Sequence, residues 1–155
     1  MTHYTPVPFL VFCLIIERVI SGGHYEYSLL TWLTYHAMLR PSDPLLALVG
    51  DVVLPSSIDD ILGGERGVFQ IRRSKRVPGV RLAIGGGIFR PRQVVLFDVA
   101  LMVLLFLFVQ GRDPDELLFP SCDATGWRNL LAKIAEELYL FGWQIVPRSL
   151  RPGGA

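Results

Sequence analysis

The sequence predicts an α+β fold, mainly helical, with a small basic antiparallel sheet set between helical segments. Two observations carry that prediction. Apolar residues recur at helical spacing in the first and last thirds of the chain, while the middle is rich in glycine, arginine and isolated β-branched residues. A third observation bounds the size. At 155 residues and 51% hydrophobic, the chain can bury one sizeable core but not two ordinary ones. With 19% charged residues and a mean hydropathy of +0.42, it is not the composition of a disordered protein. We therefore expect a single unit over residues 1–155.

The elements follow in order. Val7–Ile20 has the length and apolar character of a buried helix, and Gly22-Gly23 ends it. From Tyr27 to Leu39, the residues Leu29, Leu30, Leu33, Ala37 and Met38 recur on one helical face, and Pro41 closes that helix. Asp43-Pro44 opens a short helix running through Leu48. After Gly63-Gly64, Val68, Ile71, Val77, Val80, Leu82 and Ile84 indicate two or three short strands, and Gly85-Gly86-Gly87 a flexible turn. That triple glycine lacks a following GK[ST], so it is weak evidence for a phosphate loop. Helical pattern returns over Val94–Val109. It returns again over Trp127–Phe141, with Thr125 as the expected N-cap and Gly142 as the expected stop.

Two apolar runs raise the question of a membrane. Val94–Val109 spans sixteen residues and contains Asp98, whereas a spanning helix usually needs about 20 apolar residues and an ionised carboxylate inside one is costly. A buried core helix is the better reading, and no membrane partner is expected. A small membrane protein built on Val94–Val109 and Val7–Ile16 stays as a rival reading. Met1–Pro6 carries no Lys or Arg, so no signal peptide is expected. Cys13 and Cys122 lie far apart without metal-ligand spacing and read as two buried thiols, with no disulfide framework or metal site.

The charge is segregated. Arg66, Arg72, Arg73, Lys75, Arg76, Arg81, Arg90 and Arg92 make residues 66–92 a strip of +8 without one acid, and the remainder sums to −7. Thirteen of the fifteen basic residues are arginine, the side chain suited to bidentate contact with phosphate. Such a strip on a strand-rich segment is either a polyanion surface or a solvated basic loop. It is not a basic amphipathic helix of the kind that lies on anionic lipid.

Three short motifs occur in order along the chain. The first is Met38-Leu39-Arg40-Pro41-Ser42-Asp43, followed by Leu45-Leu46-Ala47-Leu48 and Asp51-Val52. The second is Ser74-Lys75 within the basic segment. The third is Pro147-Arg148-Ser149-Leu150-Arg151-Pro152-Gly153-Gly154-Ala155. Together they resemble the boxes of the tyrosine recombinases, or phage-type integrases, over about residues 27–155. In that family an apolar helix leads into Leu-Arg-x-Ser-Glu and a Leu-rich turn. A lysine then sits on a β-hairpin, and a His-x-Leu-Arg box follows, usually with Gly-Gly-Ala-Thr after it.

The resemblance implies cleavage and rejoining of double-stranded DNA through a phosphotyrosyl link, with no metal or nucleotide cofactor. It implies that Arg40 and Arg151 stabilise charge on the non-bridging phosphate oxygens. Lys75 would protonate the leaving 5′ oxygen, and Asp43 would orient Arg40. Arg66, Arg72, Arg73, Arg76, Arg81, Arg90 and Arg92 would contact the DNA backbone. Other recombinase protomers are the implied protein partners.

Two departures qualify this. Arg148 stands at the usual histidine position, and its pKa above about 12 bars general-base work while leaving phosphate contact open. None of Tyr4, Tyr25, Tyr27, Tyr35 or Tyr139 follows the third box, so none is placed as the nucleophile. The expectation is a partial catalytic domain, without the family's N-terminal DNA-clamp domain and C-terminal tyrosine segment, inactive in strand transfer alone. A non-catalytic DNA-binding remnant is the second reading. Outside the motifs, His36 reads as a packed or hydrogen-bonded core histidine, and Trp32, Trp127 and Trp143 as packing aromatics.

Overall fold

Phe12, Ile15, Ile16 and Val19 fall on one face of the first helix, α1 (Phe9–Ser21), and that face is buried. The computed structural model describes residues 6–71 and 92–151. The chain leaves α1 through a Schellman motif: Gly23 adopts φ 82°, the His24 N–H donates to Val19 O at 3.0 Å, and the Gly23 N–H donates to Ile20 O at 2.9 Å. Helix α2 (Tyr25–His36) then packs on α1. It is buried on several sides at once, through Ser28, Leu29, Leu30, Thr31, Leu33 and Thr34.

The helix expected to reach Leu39 stops three residues earlier, at His36. The Leu39 N–H turns back to Thr34 O at 3.0 Å and the Met38 N–H to Tyr35 O at 3.4 Å, with Met38 at φ 52°. This is the motif that ends α1, here with methionine in the left-handed position that glycine usually holds. Leu39, 1% exposed, is the buried apolar residue that follows it. After the short α3 (Ser42–Leu45), a 3₁₀ turn over Val49–Asp51 leads into strand β1 (Val52–Val53). Ser57 caps α4 (Ile58–Leu62) by accepting from the Asp60 N–H at 3.1 Å.

The sheet has three antiparallel strands in the order β1-β2-β3, where β2 is Gly67–Ile71 and β3 is Arg92–Leu96. Val52 pairs with Phe69, Gly67 with Leu96 and Ile71 with Arg92. The expected strand residues Val77, Val80, Leu82 and Ile84, and the triple glycine Gly85-Gly86-Gly87, lie outside the described residues.

Strand β3 corrects the reading of Val94–Val109 as one helix. The β-branched pair Val94 and Val95 completes the ladder opposite Phe69 and Val68. Asp98 then caps a separate helix, α5 (Val99–Val109), by accepting from the Leu101 N–H at 3.1 Å. One aspartate thus divides a continuous apolar run into a strand and an eleven-residue helix. No helix among the described residues is long and apolar enough to cross a membrane.

The last long helix, α6 (Ala124–Glu137), begins at Asp123 rather than at Thr125, because the Asp123 carboxylate accepts from the Gly126 N–H. It ends before the expected Phe141. Tyr139 takes the left-handed position at φ 59°, while the Leu140 N–H donates to Ala135 O at 2.9 Å. Gly142, the expected stop, has its positive φ of 86° in the next turn.

Leu30 and Leu33 of α2, Ile61 of α4, Phe69 and Leu96 of the sheet, Leu101 and Leu105 of α5 and Trp127 of α6 share one core. Trp127 is fully buried, and its indole Nε1 donates to Thr31 Oγ1 at 3.0 Å. Replacing Thr31→Val keeps the shape but strands that buried N–H, at a cost of about 1–3 kcal/mol. In urea unfolding with an unchanged m value, Trp127→Phe should cost less in the Thr31→Val background than alone, because the donor is already unpaired.

Candidate functional site

Helix α2 supports the first and third motif segments and the end of the sheet whose strands bound the second. Arg40 follows the turn that ends it: the Schellman turn buries Leu39 and leaves the next residue, Arg40, exposed. Asp43 closes the turn that follows. Its carboxylate Oδ2 accepts from the Arg40 backbone N–H at 3.0 Å, and its own N–H donates to Arg40 O at 2.9 Å. Asp43 therefore orders the main chain that carries Arg40. Among the described residues, no ion pair joins its carboxylate to the Arg40 guanidinium.

Of the third motif, Pro147–Leu150 form a 3₁₀ turn packed on α2 and α6, while Pro152-Gly153-Gly154-Ala155 lie outside the described residues. Ser149 holds it, accepting at Oγ from the Val146 N–H at 3.2 Å and donating to Gln144 O at 3.1 Å. Leu150 is fully buried, whereas Arg148 is exposed and Arg151 half-buried. The segment before α1 straps this turn to α2. Its Val7 N–H donates to Ser149 O at 3.2 Å, and its carbonyl accepts from the Tyr35 hydroxyl, also at 3.2 Å. Burial raises the Tyr35 pKa, which keeps the phenol protonated as that donor. The Tyr35 ring also stacks on Phe12 at 4.0 Å.

The second motif is framed but not itself in view. Arg72, Arg73, Lys75, Arg76, Arg81 and Arg90 fall outside the described residues, so the structure places none of them. It does place the strands that flank them. Because β2 and β3 are antiparallel neighbours with Ile71 opposite Arg92, the intervening chain leaves and re-enters the sheet at one end. Arg92 is exposed at that end. Arg66 is exposed at the opposite end of β2, its guanidinium 5.9 Å from the centre of the Phe97 ring.

Two α2 side chains, one turn apart, fasten the sheet and α5 to this scaffold. Trp32 Nε1 donates to Asp98 Oδ2 at 2.9 Å, and His36 Nε2 accepts from the Phe97 N–H at 3.2 Å. Burial lowers the His36 pKa, and the nearby Asp98 charge opposes that shift. His36 is thus a hydrogen-bonded histidine, in agreement with the sequence reading. The role of Trp32 was missed, because an aromatic at helical spacing carries no signal that its indole will find a carboxylate 66 positions away.

A cavity of about 650 Å³ opens between α1 and α2, lined by Phe9, Cys13, Ile16, Trp32, His36 and Asp98 among others. Cys13 is exposed on it, which corrects the expectation of two buried thiols. Cys122 is partly buried, and desolvation, with Glu26 and Asp123 nearby, pushes its pKa up to about 12. Among the described residues, no group of three or more His, Cys, Asp or Glu could hold a metal ion. No protein-family model and no curated protein matches the chain.

The thiols give a direct check on this arrangement. At pH 8 a thiolate-selective reagent should label Cys13 in the folded protein and reach Cys122 only on unfolding, since the thiolate is the reactive form. Equal labelling rates for the two in the native state would contradict the burial described.

Proposed function

We propose that this chain is a DNA-engaging part of a tyrosine-recombinase catalytic domain. The observation that supports the reading best is the common attachment of the motif segments to α2. Arg40 follows the turn that ends that helix, and the turn bearing Arg148 and Arg151 is strapped to it through Val7 and Tyr35. The strands bounding the basic segment are held to it through His36 and Trp32. Segments separated by more than a hundred positions are thereby attached to one helix.

On this reading Arg40 and Arg151 are the guanidinium pair that contacts the non-bridging oxygens of a phosphodiester, where two preorganised cations stabilise added negative charge. Lys75 is the general acid toward the 5′ oxygen. Arg148, unable to act as a base, adds a further phosphate contact. Arg66, Arg72, Arg73, Arg76, Arg81, Arg90 and Arg92 hold the duplex along its backbone. Asp43 positions Arg40 through the main chain. None of Tyr4, Tyr25, Tyr27, Tyr35 or Tyr139 is assigned as a nucleophile, so the function proposed for these residues is engagement of DNA. A non-catalytic DNA-binding remnant would use the same basic residues without the paired arginines acting together.

The salt dependence of duplex binding tests the reading. Each neutralised phosphate contributes about −0.9 to the slope of log K against log salt concentration. Fluorescence anisotropy should therefore show a steep negative slope for the 155-residue chain. Replacing Arg72, Arg73 and Arg76 together by Gln should make it shallower by about 2–3 units. A flat salt response would overturn DNA engagement altogether.

A further inference from the structure

We propose that His36 is a pH-sensitive latch, which holds the β3–α5 junction on α2 while its imidazole is neutral and releases it on protonation. The geometry sets the requirement. His36 Nε2 accepts from the Phe97 backbone N–H at 3.2 Å, so that nitrogen must keep its lone pair and the ring proton must sit on Nδ1. Protonation turns Nε2 into a donor facing a donor, and the bond is lost. The Phe97 ring lies edge-on to the imidazole, with centroids 4.4 Å apart, so losing the bond also loosens that contact. Phe97 is itself 60% exposed, and little else covers it.

The other tie across the same junction involves no imidazole nitrogen. Trp32 Nε1 donates to the Asp98 carboxylate, and Asp98 also caps α5 through the Leu101 N–H. The release is therefore local: the end of β3 lifts while the start of α5 stays fixed. The charged and titratable groups that face this region among the described residues are Asp98 at the start of α5, Cys13 and Glu17 on the α1 wall of the shared cavity, Tyr35 on α2, and Arg66 over Phe97. Asp98 favours the imidazolium, yet burial outweighs it and the folded-state pKa lies below the ordinary value. A lowered histidine pKa means that the folded state prefers the neutral ring. The stabilisation is then present above about pH 6.5 and is lost as pH falls toward the folded-state value.

This inference concerns how the sheet is attached and does not depend on the DNA reading. Amide hydrogen exchange of the ¹⁵N-labelled 155-residue chain tests it, corrected for intrinsic exchange and followed from pH 7.5 to 5.5 beside the His36 imidazole titration. Protection of the Phe97 amide should fall as pH drops below about 6.5 and level off near the midpoint of that titration. The fall should be about tenfold for each unit by which His36 lies below its ordinary pKa. The Leu101 amide, bonded to Asp98, should not follow it. In His36→Gln, whose side-chain oxygen can accept the same bond without titrating, the Phe97 pH dependence should vanish. Phe97 protection that stays constant through the wild-type titration, or that falls equally in His36→Gln, would overturn the proposal.

Discussion

The fold depends on the constraint that α2 is buried on several faces and yet carries polar side chains on its last two turns. Thr31, Trp32, Tyr35 and His36 must each find a partner, because a buried polar group left unpaired costs about 1–3 kcal/mol. They bond to Trp127 of α6, to the Asp98 cap of α5, to the Val7 carbonyl of the N-terminal strap and to the Phe97 amide at the end of β3. Four parts of the chain are thereby fixed to six residues of one helix. Hydrophobic burial supplies most of the driving force. These directional bonds decide which side chains meet, since apolar contact alone would tolerate α2 rotating or sliding.

The proposed function rests on the same constraint. A pair of arginines acts on one phosphate only if both are held before the phosphate arrives. Arg40 is set by the end of α2 and by the Asp43 turn, and Arg151 by the Ser149-stabilised 3₁₀ turn that Val7 ties to the same helix. The sheet joins the assembly through Phe97 and Asp98, so the strands that bound the basic segment share its frame. Arg112 has no part in this chemistry. It orders the loop after α5 by pairing with Glu116 at 3.3 Å and donating to the carbonyls of Leu117 and Leu118.

Much of the architecture was legible in the sequence, and the exceptions share physical causes. Helices α1, α2 and α6, strand β2 and the mixed α+β character follow from apolar spacing and turn residues. The ends of α2 and α6 were misplaced because Met38 and Tyr139 occupy left-handed positions where a glycine would have given a signal. Strand β3 was hidden because Val94–Val109 is apolar except at Asp98, and only the capping chemistry of that residue divides the run. Strand β1 has two residues, too few for any alternation to register. Arg40, Arg148 and Arg151 of the proposed site were singled out as motif residues. Their joint support was not, because it runs through Val7, Tyr35, Trp32 and His36, which match no motif.

The account stands most directly on whether Arg40 and Arg151 work together. A double-mutant cycle on duplex affinity, with Arg40→Ala, Arg151→Ala and both in the 155-residue chain, measures that coupling. The account predicts that the two effects depart from additivity by about 0.5–3 kcal/mol, as expected of residues that share a partner. Effects that add within about 0.3–0.5 kcal/mol would mean that the arginines act at separate places, and would contradict the composite site.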